Sequence, residues 1–140
     1  MQSQNQIADS IKAKTRELGL LECAILPVEH LYEEKEHFQS WLENRMHGEM
    51  DYMARNIEKR LDPSQLFENA KTIIVVLQNY FPQEIQNDPS APVLSKYAFG
   101  TDYHFVMKDK LKNLLKYIQQ KIVECNGQPF VDSAPILERA

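Results

Sequence analysis

Two cysteines in 140 residues, Cys23 and Cys125, are too few and too far apart for a disulfide framework or a Cys-rich metal site. That usage suits a reducing cytoplasm. Four scattered glycines cannot build a Walker loop or a GxGxxG turn. The histidines, His30, His37, His47 and His104, form no HxH, HxxxH or HExxH pair, and no G-x-S-x-G elbow occurs. P-loop, metallo-hydrolase and α/β-hydrolase chemistries are therefore disfavoured. A basic excess is missing too: 16 Lys and Arg face 20 Asp and Glu, for a net charge of −4. A domain that neutralises many phosphates by itself should be basic, so nucleic-acid binding is left to a local patch or to another part of the protein. The longest apolar run, Ile73 to Leu77, is far short of the roughly 20 residues that span a bilayer, so no membrane partner is expected. The opening MQSQNQIADS lacks a basic start and an apolar stretch and does not read as a signal peptide.

What is present is an ordinary globular composition, 43% apolar and 26% charged, read as a single domain over residues 1–140. Ile7, Ile11, Thr15 and Leu18 repeat at helical spacing before Gly19. Leu20 to Val28 reads as a strand ended by Pro27, and a second helix fits Glu29 to Met46, with Gly48 closing it. Met50, Met53 and Ile57 suit short amphipathic turns, and Asp62-Pro63 starts another. The β-branched run Thr72 to Tyr80 predicts a strand covered on both faces. Residues 81–95, with Pro82, Pro89 and Pro92, form a long loop of the kind that is usually functional. A strong helix spans Tyr103 to Glu124, and Phe130-Val131 reads as a short strand with Asp132 at its C-terminal end. The order is that of a layered α/β domain with helices on both faces of a sheet. In the tail SAPILERA a new element has barely begun, which suggests a boundary inside a longer protein.

Three groups of residues carry chemistry. Lys96 to His104 (KYAFGTDYH) gathers two phenols, an imidazole, a carboxylate and an amine. It reads either as a helix lead-in, capped by Thr101 or Asp102 and plugged by its aromatics, or as a loop lining a ligand cleft. Asp132 reads either as the cap of a following helix or as a carboxyl at a strand end, where a raised pKa would let it hold a proton for delivery. Arg55, Lys59 and Arg60 stand among Asp51, Glu58 and Asp62. They read either as a solvated, salt-bridged face or as an anion or amide clamp.

Three strings together, GEMDYMARNIEKRLDPSQLFENAKTIIVVLQNYFP, SKYAFGTDYHFVMKDKL and FVDSAPILERA, resemble the N-terminal part of the epoxyqueuosine reductase family. The resemblance implies a cobalamin-binding domain similar to nitroreductase-like folds. It implies reduction of epoxyqueuosine to queuosine at the wobble position of tRNA, with cobalamin and two [4Fe-4S] clusters. Asp132 would be the proton donor as the oxygen leaves. Arg60, Ser95 and Lys96 would contact cobalamin, Tyr97, Tyr103 and His104 would line the cleft, and Arg139 would be a further contact. Two clusters need on the order of eight cysteines, so the clusters, and most tRNA contact, would belong to the protein's own C-terminal iron–sulfur part. The chain alone should then not turn over, and the electron donor stays unspecified. The alternatives are a stand-alone module for a corrinoid or another flat cofactor without redox activity, and a plain interaction domain.

Overall fold

A computed structural model describes residues 3–122 and 124–137. In chain order the elements are α1 (Gln4–Glu17), β1 (Glu22–Pro27), α2 (Tyr32–Glu43), α3 (Ile57–Leu61), β2 (Thr72–Leu77) and α4 (Tyr103–Lys121). Single 3-10 turns lie at Asp51–Ala54, Pro63–Gln65 and Lys96–Ala98. Chain contacts define two compact units, Met1–Ile25 with Ile74–Val131 and Leu26–Ile73 with Asp132–Ala140.

In the first unit, α1 starts at a capping box. Ser3 Oγ accepts from the Gln6 N–H at 3.3 Å, and Gln6 Oε1 accepts from the Ser3 N–H at 2.8 Å. It stops where the sequence predicts. Gly19 adopts φ 73°, its N–H donates to Arg16 O, and the Leu20 N–H donates to Thr15 O, a left-handed stop that glycine accommodates without strain. Ile11 of α1 packs with Leu114 and Ile118 of α4 as the centre of the core. Cys23 and Ile25 of β1 and Ile74 and Val76 of β2 pack against that centre.

The two strands form one sheet. The Leu21 N–H donates to Leu77 O and the Val28 N–H to Lys71 O, so the strands run antiparallel. The expected burial of β2 on both faces is not what these residues show. From Ile74 onward burial alternates, with Ile74 and Val76 turned to the helices and Val75 and Leu77 42% and 54% exposed, while Ile73 at the start is half-buried. The β-branched run is a one-face strand here because α1 and α4 supply a single apolar layer.

In the second unit Phe38 of α2 is buried beside Trp41, with ring centroids 6.0 Å apart, and Leu61 of α3 is fully buried. The Leu61 carbonyl accepts from the Leu31 N–H at 2.8 Å, which ties the entry of α2 to the end of α3. Helix α2 is shorter than its periodicity predicts. It ends at Glu43 because Arg45 takes the left-handed conformation, φ 54°, with Arg45 N–H to Leu42 O and Met46 N–H to Trp41 O closing the last turn. Asp62 caps the Pro63 turn as predicted, its carboxylate accepting from the Ser64 N–H and Oγ.

Two expectations near the C-terminal end fail. Phe130-Val131 is not a strand, since no neighbouring chain pairs with it among the described residues. No helix follows Asp132 up to Leu137. Residues 132–135 make turns and bends instead, and the Ile136 N–H donates to Ala134 O at 2.7 Å.

Candidate functional site

The lead-in to α4 is built by one carboxylate. Asp102 Oδ1 accepts from the His104 N–H at 2.8 Å and lies 2.9 Å from His104 Nδ1. The same oxygen therefore caps the helix and fixes the imidazole. Tyr103 stacks on His104 with ring centroids 4.2 Å apart, and Tyr97 meets Tyr103 edge to face at 5.9 Å. The capping reading of the sequence is thus correct for Asp102, and the same cap gathers Tyr97, Tyr103 and His104 into one aromatic cluster. The His104 N–H, then its ring, and more weakly the Lys108 ammonium hold the Asp102 carboxyl below the usual aspartate range.

That depression carries a pH signature. Stability from the ionised cap is fully present above the ordinary aspartate value, about 3.9, and is lost as pH falls through the lower folded-state value. On acidification from about pH 5 to about pH 3 the urea midpoint should fall less steeply for Asp102→Asn than for the unaltered chain, because the amide oxygen still accepts the cap bond but does not titrate. Equal slopes would remove Asp102 from the acid response.

Ser95 and Lys96 precede this cluster and are exposed. Lys96 turns its Nζ over the ring of Phe81, 3.6 Å from the centroid, a cation–π contact that fixes where the ammonium sits. The long loop from 81 to 95 is folded back on itself by one side chain. Gln86 Nε2 donates to Ala91 O at 3.3 Å and to Pro92 O at 2.9 Å, and Gln86 Oε1 accepts from the Leu94 N–H at 3.3 Å. Asp88 closes the tip by accepting from Ser90 N–H and Oγ, and the Ser90 hydroxyl is the main reason its carboxyl is held low. A hollow of about 330 Å3 results, lined among others by Ile85, Val93, Leu94, Phe99 and Lys96. Phe81 and Gln86 were not singled out in the sequence. An aromatic beside a proline is a faint signal for the first, and no local pattern marks the second.

Arg60 and Asp132 belong to the second unit. Arg60 is only 8% exposed. Its Nε donates to Arg55 O at 3.3 Å and its Nη2 to Tyr52 O at 3.2 Å. The expected salt-bridged face does not form, because among the described residues no ion pair joins Arg55, Lys59 or Arg60 to a carboxylate. The guanidinium instead adds a second donor to the Tyr52 carbonyl, which already accepts from the Arg55 N–H at 3.2 Å, and supplies a donor to the Arg55 carbonyl ahead of the left-handed Asn56, φ 56°. Asp132 is exposed at the first position of its turn. Arg139 lies outside the described residues. Among the described residues no helix is long and apolar enough to cross a membrane, and no group of three or more His, Cys, Asp or Glu could hold a metal ion.

A family model described as epoxyqueuosine reductase QueG, DUF1730, matches residues 60–133. That span contains Arg60, Ser95, Lys96, Tyr97, Tyr103, His104 and Asp132, and leaves Arg139 outside. The epoxyqueuosine reductase of Cellulophaga algicola is 45% identical over 140 residues, covering 100% of this chain and 45% of its own length. That of Escherichia coli is 41% identical, covering 96% of this chain and 37% of its own. The solved epoxyqueuosine reductase of Streptococcus thermophilus superposes with a TM-score of 0.76 at 25% identity, over 93% of this chain and 36% of its own. The chain thus spans less than half the length of the curated relatives it matches.

Proposed function

The chain belongs to the epoxyqueuosine reductase QueG family, and on that premise we propose that it is the N-terminal, cobalamin-holding part of an enzyme that reduces epoxyqueuosine to queuosine at the wobble position of tRNA in a reducing cytoplasm. The observation that carries this reading is the family match over residues 60–133 together with curated relatives at 45% and 41% identity; seven of the residues proposed for the site lie inside that span. In the intact enzyme the exposed face of the sheet, with Val75 and Leu77, would be covered by further layers of a nitroreductase-like architecture.

The residues suit cobalamin as one wall and not as an enclosing pocket. The 330 Å3 hollow is too small for a whole corrinoid. Tyr97 at 54% exposure and Phe81 at 65% offer flat apolar surface. The Ser95 hydroxyl and the placed Lys96 ammonium are donors suited to the amide-fringed rim of a macrocycle. Tyr103 and His104 would fix the orientation of that wall. We propose Arg60 and Arg139 as further cofactor contacts on the family resemblance. Two cysteines packed at the core edge cannot ligate a [4Fe-4S] cluster, so clusters would be held elsewhere in the intact protein.

Bound there, cobalamin supplies reducing chemistry at a substrate carbon. Converting an epoxide to an alkene releases the oxygen as water and consumes two electrons and two protons. The carboxyl of Asp132 would deliver a proton to the oxygen as the carbon–oxygen bond breaks, since an alkoxide is a poor leaving group near neutral pH. Titrating the intact protein with cobalamin and following visible absorption tests the reading. A saturable change is expected, weakened roughly tenfold by Lys96→Ala, a loss of about 1.4 kcal/mol. The absence of any saturable change would remove the cofactor from this surface.

A further inference from the structure

Helix α4 carries five lysines and one acid, against the acidic balance of the whole chain. Twelve of the twenty acidic residues fall in residues 26–73 and 132–140, away from this helix in sequence and in the other compact unit. The lysines are not evenly spread. Lys108, Lys112 and Lys116 recur every four residues and are all exposed, so they form a stripe with successive Cα atoms about 6 Å apart along the axis. Leu114 and Ile118, on a different face, are buried. Lys110 is excluded from the stripe because its Nζ donates to Gln78 Oε1 at 2.6 Å, near the end of β2. The single acid, Asp109, accepts from Asn113 Nδ2 at 3.3 Å and does not bridge to a stripe lysine.

One turn before Lys108, on the same face, stands Phe105, 71% exposed. A solvated charged face has no use for a bare aromatic ring. Cations at regular spacing beside an exposed aromatic are the combination by which proteins hold single-stranded nucleic acid, phosphates on the ammonium groups and a base on the ring. The Lys108 ammonium already acts on the cap carboxylate of the aromatic lead-in, so the stripe begins where the candidate site ends.

We propose that Phe105, Lys108, Lys112 and Lys116 form an RNA-contact surface, with the lysines on consecutive phosphates and Phe105 stacked on an unpaired base. The choice of RNA over other polyanions rests on the tRNA-directed reading above; the stripe itself does not. This surface places part of the substrate grip on the N-terminal part of the enzyme.

The test uses the intact protein and an unmodified tRNA transcript, with binding followed by fluorescence anisotropy across a salt series. Replacing all three lysines with Gln should weaken binding by at least tenfold near 0.1 M salt and reduce the slope of log K against log salt by roughly 2. Phe105→Leu should weaken binding several-fold with the slope unchanged, and Phe105→Trp should restore it. The all-Arg variant should bind as the unaltered protein does. Folding of each variant is checked by its far-ultraviolet circular dichroism. Unchanged affinity and slope in the Gln variant, or binding to anionic vesicles in place of tRNA, would overturn the inference. Epoxide removal by the unaltered protein is measured alongside. A protein that binds tRNA through the stripe but leaves epoxyqueuosine untouched would defeat the functional reading alone, and an active enzyme indifferent to the stripe would defeat the surface alone.

Discussion

Replacing Asp132 by Asn in the intact protein is expected to lower the rate of epoxide removal by about a hundredfold or more, with cobalamin and tRNA binding unchanged. Asn keeps the size and hydrogen-bonding capacity of the side chain but has no proton to deliver. A group that acts only on the departing oxygen should affect the chemical step and not the affinities. The local structure is compatible with that role. Asp132 is exposed at the start of a turn, the Ala134 carbonyl is tied by the Ile136 N–H, and Pro135 stiffens the chain just beyond. No helix follows up to Leu137, so the competing reading, in which Asp132 caps a helix, finds no helix to cap among the described residues. A rate equal to that of the unaltered protein would exclude Asp132 as the donor. Weakened tRNA binding at an unchanged rate would make it a substrate contact.

The elements that local physics dictates were legible in the sequence. Gly19 stops α1, Asp62 caps the Pro63 turn and Asp102 caps α4, each because a short-range bond with a fixed spacing selects the residue. The helix expected over Tyr103 to Glu124 forms as α4, and Leu114 and Ile118, four residues apart, lie buried on one side of it. What escaped depends on partners distant in sequence or on backbone angles. The end of α2 at Glu43 required Arg45, a non-glycine residue, to take a left-handed angle, which no propensity favours. The one-sided burial of β2 depends on how many layers reach the sheet, which a β-branched run does not state. At the candidate site, residue types pointed to the KYAFGTDYH segment, and the geometry adds what types could not: Phe81 beneath Lys96, and Gln86 holding the long loop closed. The burial of Arg60 was not legible, since a charged string looks solvated wherever its members are not packed under neighbouring backbone.

Removing the Arg60 side chain should cost the second unit about 3 kcal/mol of stability, read as a lower urea midpoint for Arg60→Leu. Leucine fills part of the volume, but it removes the donor at 3.3 Å from the Arg55 carbonyl and the second donor at 3.2 Å from the Tyr52 carbonyl, which keeps only the Arg55 N–H. Each charge-assisted bond contributes roughly 1.5–3 kcal/mol, and the two act on a stretch that has little other support. That stretch contains a 3-10 turn with no side-chain cap and the left-handed Asn56. Arg60→Lys should recover only part of the loss. A single ammonium can serve one of the two carbonyls, whereas the planar fork serves both along fixed directions. If Arg60 also touches cobalamin, Arg60→Lys should weaken cofactor binding by more than its stability loss explains, measured well below the unfolding transition. An Arg60→Leu protein as stable as its parent would mean that the two carbonyl bonds contribute nothing, and Arg60 would then have to be explained by the cofactor alone.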